Sequence, residues 1–309
     1  MNVFIAGGSG AIGRQLVPML VQAGHSVVAM TRTEQGAAAL QAMGATPVLA
    51  DVFDAARLVD VVQLAQPEVV IHQLTAFGTP ADDPQQETIR VRTEGTRNLV
   101  DAARKSSARC FITQSISFMC TPIASGLTDE DTPLYLDAAP AIRPLAQSIA
   151  ELERQTLRHE DLHGVVLRYG WFYGPGTNYD PDGVIPRAIR RGRMAIVGAG
   201  DGTYSFVHVH DAAVATMNAL LHAQPGIYNI VDDAPVRLKH WLPVAARLLD
   251  APAPVPMDEA LARQKMGDLM VYIYNEQSGA SNQKAKAALR WQPAIPSWQT
   301  GFEALYSRV

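Results

Sequence analysis

Asn2-Val3-Phe4-Ile5-Ala6-Gly7-Gly8-Ser9-Gly10-Ala11-Ile12-Gly13 is the stretch whose reading decides the fold. It opens with a short apolar run of strand length, and an amphipathic segment suited to a helix extends over 11–23. The glycines between them make a turn with a particular use. Gly7 permits a tight turn, Gly10 keeps a Cβ out of the path of an approaching diphosphate, and Gly13 lets the helix pack closely on the strand. The amides of Gly7, Ser9, Gly10, Ala11, Ile12 and Gly13 then sit at the positive end of the helix, where an anion is stabilised. Strand, glycine turn and helix in this order point to a dinucleotide site.

The same rhythm continues along the chain. Further β-rich runs fall at 26–31, 46–49, 69–73, 110–115 and 164–169, separated by helical patterns at 34–43, 54–65, 85–106 and 141–159. Helices long enough to cross a sheet face force parallel strands, and the unbroken apolar run Val69-Val70-Ile71 suits a strand covered on both faces. The expectation is an α/β, doubly wound (Rossmann), mostly parallel sheet with helices on both faces. After residue 173 the pattern changes. Turn-rich segments at 174–183 and 198–202 flank a basic helix at 184–193, and Tyr204-Ser205-Phe206 reads as part of a hairpin. Segments 206–208, 211–222 and 227–231 resume the α/β style, and helix-plus-loop character follows from 235. Residues 1–173 and 203–232 are therefore assigned to the nucleotide-binding domain, and 174–202 and 233–309 to a smaller C-terminal substrate domain.

Composition narrows the function. With 309 residues, 26 basic and 30 acidic side chains and a net charge of −4, the chain has no basic field for a nucleic-acid backbone. It shows no apolar run of membrane-spanning length and no basic leader, and its two cysteines cannot frame a disulfide scaffold, so a cytoplasmic setting without membrane partners is expected. At the end of the second strand, Thr31 and Arg32 stand where a site for the unphosphorylated cofactor usually carries an acid. A planar cation there favours NADP, with NAD the alternative. Asp51, with Val52 beside it, leaves the third strand where a carboxylate can accept from an adenine amino group.

These residues, with Val70-Ile71-His72, Gly95-Thr96-Arg97-Asn98-Leu99, Leu167-Arg168-Tyr169-Gly170, Tyr173-Gly174-Pro175-Gly176 and Phe206-Val207-His208-Val209-His210-Asp211, resemble the extended short-chain dehydrogenase/reductase superfamily, closest to its NAD-dependent epimerase/dehydratase branch. The resemblance runs from Asn2 to about Ile230. It implies that Leu74, Thr75 and Ala76 line the ribose side, and that Ser115 and the 169–171 stretch flank the nicotinamide. Ser115 is the implied active-site serine, with Ser117 as the fallback. The resemblance makes His208 a structural residue at a helix head with Asp211 as its cap, and suggests a homodimer through helices 85–106 and 141–159. The chain departs from the family in one respect. No tyrosine is followed four residues later by a lysine, and no lysine occurs between Lys105 and Lys239, so the family's proton-donating pair is absent.

Substitutes must come from the carboxyl ends of the strands, where ligands of open α/β sheets bind. Ser115, Tyr169 and Tyr173 are the catalytic candidates; Arg143 could polarise a carbonyl or anion, and His72 reads as a structural histidine. His208, His210 and Asp211 are not taken as a metal site. The leading function is an NADP-dependent oxidoreductase acting on a small carbonyl or alcohol. The alternatives are a sugar-nucleotide epimerase or dehydratase, and a non-catalytic NADP-binding sensor or scaffold.

Overall fold

A computed structural model describes residues 1–76 and 83–307. Seven strands form one sheet: β1 (Asn2–Ala6), β2 (Ser26–Thr31), β3 (Thr46–Leu49), β4 (Val69–His72), β5 (Cys110–Ile116), β6 (His163–Tyr169) and β7 (Gly226–Ile230). They run in the order β7-β6-β5-β4-β1-β2-β3 with every pairing parallel. The chain reverses its direction of winding between β1 and β4, which opens a crevice above their carboxyl ends.

Helices cover both faces. On one side α1 (Gly13–Gln22) turns Leu16, Val17 and Leu20 into the core, joined by Leu40 of α2 (Glu34–Ala42). On the other, α3 (Ala55–Ala65) contributes Leu58, Val61 and Val62. Each such side chain contributes about 1.5–3 kcal/mol by leaving water. The segment expected as one helix over 85–106 is instead three pieces. The first is α4 (Pro84–Arg90), capped by Asp83; a π turn, Val91–Gly95, leads from it into α5 (Thr96–Arg104). Then α6 (Arg143–Leu157) packs against α5 and the π turn.

Past β6 the chain builds a second core. Here α7 (Val184–Arg190) precedes α8 (Val209–His222), which returns to the sheet and packs on α1; α9 (Leu238–Leu248), α10 (Glu259–Asn275), α11 (Gln283–Leu289) and α12 (Trp298–Tyr306) follow. Tyr173, Tyr179, Tyr204, Phe206, Trp241 and Phe302 meet in this core, largely edge to face. The expected hairpin at 204–206 does not form. Thr203–Tyr204 pairs antiparallel with Val236–Arg237, while Phe206–His208 runs parallel to Trp171–Tyr173. From within 233–309, Ala285, Leu289 and Trp291 pack in the core of the sheet rather than the second one.

The head of α8 also differs from expectation. His208 is the cap, its Nδ1 accepting from the His210 amide at 3.2 Å. Asp211 is 1% exposed, and its two oxygens accept from the Ala294 and Ile295 amides at 3.1 and 3.0 Å, tying the C-terminal segment to the sheet layer. No helix among the described residues is long and apolar enough to cross a membrane.

Candidate functional site

The glycine turn lies over the switch point. Gly7 has φ +96°, and a Cβ there would fall 2.7 Å from the Gln73 carbonyl, so the exit of β4 itself demands glycine. A Cβ on Gly13 would fall 2.3 Å from the Gly8 carbonyl oxygen. Gly10 is different: its Cβ would meet only the Gly7 oxygen, at 3.3 Å. The chain needs Gly7 and Gly13 in order to fold, whereas a Cβ at Gly10 would ask only for a shift of a few tenths of an ångström. No side chain caps α1 and its first turn carries no acid, so the amides around Ser9, Ala11 and Ile12 keep the donors that a diphosphate requires.

Thr31 ends β2 with its side chain buried, and Arg32 projects from the next position, exposed and without a hydrogen-bond partner among the described residues. Thr33 caps α2 by accepting from the Gly36 amide at 3.0 Å. Asp51 accepts from the Phe53 amide at 2.9 Å, and the buried Val52 offers its carbonyl to Asn98 Nδ2 at 2.9 Å. The Arg90 guanidinium lies 3.7 Å from the centre of the Phe53 ring. The sequence reading missed Phe53, Arg90 and Asn98 at this rim; only Asn98 had a signal, through its motif.

Beyond β4, His72 is fully buried. Its Nδ1 accepts from the Leu74 amide at 3.2 Å, which places the proton on Nε2, 3.0 Å from Thr96 Oγ1. Burial, with Arg92 nearby, lowers its pKa to about 3, so the ring is neutral. Leu74 and Thr75 are half-buried and Ala76 is buried at the crevice edge.

The three catalytic candidates occupy different environments. Ser115 is 3% exposed and donates its hydroxyl proton to Glu153 Oε1 at 2.8 Å. Glu153 also receives Arg168 Nε and Nη2, each at 2.7 Å, and Arg168 Nη1 reaches the Cys120 thiol at 3.7 Å. The Ser115 hydroxyl is thus one arm of a buried ion-pair network. Tyr169 is 1% exposed on the opposite face of the sheet. Thr216 gives its own proton to the Ala212 carbonyl, so the Tyr169 phenol donates to Thr216, at 2.6 Å, and accepts from Gln73 at 3.4 Å. Burial pushes this phenol up to about 12. Tyr173 lies inside the second core against Gly301, with its hydroxyl unpaired among the described residues and its pKa raised by burial. The fallback Ser117 is also buried, in a short 3₁₀ turn. On α6, Arg143 and Gln147 are exposed one turn apart, and the helix holds neither tyrosine nor lysine.

An aromatic wall stands where β5 and β6 end. Phe118 and Trp171 stack with centroids 4.1 Å apart and planes at 16°, both half-buried, and Trp171 Nε1 donates to Gln277 at 3.2 Å. Tyr272 of α10 fastens the wall by donating to the Phe118 carbonyl at 2.8 Å. Phe118 carried no sequence signal, because its partners lie far away along the chain.

Comparison with known proteins agrees with this layout. A family model described as the NAD dependent epimerase/dehydratase family matches residues 3–231. A 3-diazoavenalumate denitrifying reductase from a Streptomyces species is 41% identical over 97% of this chain and 99% of its own length. A 2-alkyl-3-oxoalkanoate reductase from Stenotrophomonas maltophilia is 28% identical over 73% of this chain and 67% of its own. The UDP-glucose 4-epimerase of Thermotoga maritima, solved with UDP-glucose, superposes with a TM-score of 0.78 at 21% identity, covering 99% of this chain and 98% of that one.

Proposed function

The chain belongs to the NAD-dependent epimerase/dehydratase family, an enzyme family, and within it we propose an NADPH-dependent reductase that passes a hydride to a small, carboxylate-bearing electrophile. The single observation that carries this reading is the glycine turn, where Gly10 is far less constrained by packing than Gly7 and Gly13 and α1 begins uncapped. The amides of Ser9, Ala11 and Ile12 hold the diphosphate, and Gly7, Gly10 and Gly13 shape the turn that lets it approach, the Gly10 amide itself closing the turn on the Gly7 carbonyl at 3.1 Å. Thr31 and the exposed Arg32 hold the 2′-phosphate, since a guanidinium binds a phosphate through two parallel hydrogen bonds. Asp51 and Val52 border the adenine, and Leu74, Thr75 and Ala76 the ribose. Bound there, the nicotinamide supplies the hydride.

The remaining chemistry is the handling of a proton. Ser115 has its proton committed to Glu153, and Tyr169 and Tyr173 are enclosed, so none of the three contacts substrate in this reading. A ketone would take its proton from water reaching the crevice. A diazonium group needs none: hydride adds, dinitrogen leaves, and the carbon keeps the hydrogen. The Streptomyces relative is named for a diazo substrate, and both named reductases act on compounds whose names denote carboxylates. Both facts fit a site without an internal acid. The Phe118–Trp171 wall offers a flat apolar surface to an aromatic or alkyl body.

NADPH oxidation measured against a panel of keto acids and aryl diazonium carboxylates tests the proposal. Turnover with at least one class, and a clear preference for NADPH over NADH, is expected. Tight cofactor binding with no oxidation by any member would count against it and favour a cofactor sensor.

A further inference from the structure

Arg92 lies in the second position of the π turn, between α4 and α5, and is 5% exposed. It makes no ion pair and no hydrogen bond among the described residues, and its Nη1 is buried without an acceptor. An unpaired guanidinium inside a protein is costly, because the lost hydration is replaced by nothing. Its neighbours give no relief. His72 is neutral, and the carboxylates of α6 are already engaged: Glu153 by Arg168, Glu151 by Arg154 and Gln155. Burial lowers the Arg92 pKa only to about 10, so it remains a cation at neutral pH.

Its position identifies the missing anion. Thr96, the first residue of α5 directly after the π turn, is bound to His72 at the end of β4, and the π turn itself is bound to α6 through Gln155, whose Nε2 donates to the Thr93 carbonyl at 3.2 Å. This is the carboxyl edge of the sheet, on the β4–β5 side. The phosphates of a bound dinucleotide fall elsewhere, over β1 and at the end of β2, so they do not neutralise it. We propose that Arg92 is the anchor for the substrate's carboxylate, a role that rests on the reductase reading and extends it to a substrate-specificity residue. A carboxylate matches the planar fork of the guanidinium and satisfies its donors in one step.

Full-length protein saturated with NADP⁺, which cannot deliver hydride, allows binding to be read without turnover. Cinnamate, methyl cinnamate and inorganic phosphate are the probes, followed by tryptophan fluorescence and thermal shift. Wild type is expected to bind cinnamate about 30-fold more tightly than the ester, the scale of a charge-assisted pair. Arg92→Met is expected to lose that preference while NADPH affinity is unchanged, and Arg92→Lys to retain part of it. Without ligand, Arg92→Met is expected to melt at or above wild type, because it removes an uncompensated charge. Equal affinity of Arg92→Met and wild type for cinnamate overturns the assignment. So does phosphate binding as tight as cinnamate, or a melting point several degrees lower that Arg92→Lys restores. Failure of wild type to bind NADPH overturns the reductase reading as a whole; normal NADPH binding without acid-over-ester discrimination overturns the role of Arg92 alone.

Discussion

Arg168 and Arg92 are both inside this fold, and they are accommodated in opposite ways. Arg168, 3% exposed, meets Glu153 through two short parallel hydrogen bonds and carries Ser115 in the same network. Arg92 meets no acceptor among the described residues. A paired buried charge serves as scaffold, because removing either half strands the other; the unpaired one is the anchor we propose for the substrate.

The largest test strikes the scaffold side. Glu153→Ala should cost about 3–5 kcal/mol in denaturant unfolding by leaving Arg168 alone, with most of it recovered in Glu153→Leu/Arg168→Met. A cost below about 1 kcal/mol would erase the contrast between the two arginines.

Asp232 resolves the same conflict in a third way, by holding a proton. One of its oxygens accepts from the Ala234 amide at 3.1 Å, the Trp298 amide also faces the carboxyl, and burial nevertheless raises its pKa to about 7. The folded form therefore retains a proton that the unfolded chain releases near 3.8, so stability falls as pH climbs from about 4 to about 7 and is level above. The fall should amount to a few kcal/mol, at about 1.4 per pKa unit. Melting curves of Asp232→Asn should lack this slope; an unchanged slope would assign the titration to another group.

The glycines divide as the arginines do. Gly13→Ala drives a Cβ into the Gly8 carbonyl and should lower stability by about 1–3 kcal/mol. Gly10→Ala should leave the melting point intact and weaken NADPH binding by about tenfold or more, a difference of about 1.4 kcal/mol. If both variants lose only stability, the turn is structural. Smallest is Arg32→Ala, expected to reduce the preference for NADPH over NADH by about 1 kcal/mol, with NADH affinity unchanged. An equal loss for both nucleotides would remove Arg32 from the 2′-phosphate.

What could be read in the sequence follows from the range of the forces. Gly7 and Gly13 are dictated by backbone within a few residues or by the adjacent strand, and parallel strand order follows from the crossover helices. Ser115 could not be read: its partner Glu153 is 38 positions away, and nothing local says that its proton is already taken. Tyr169 shows the effect of strand alternation. Ser115 pairs in register with Arg168 on one face, so the next residue of β6 points through the sheet toward α8. Asp211 resembled a cap locally, yet its acceptors are filled by amides more than eighty residues away.

The π turn at Val91–Gly95 holds one residue more than an ordinary helical turn would. Each residue of an α-helix advances the azimuth by about 100°, so excising one there would splice α4 and α5 into a single regular rod and rotate everything before the cut by that angle. Arg92 would then swing from the interior toward solvent, where its charge is hydrated without help. The bulge thus acts as a fixed clock setting for one side chain, and a single-codon deletion would reset it without altering the identity of any remaining residue.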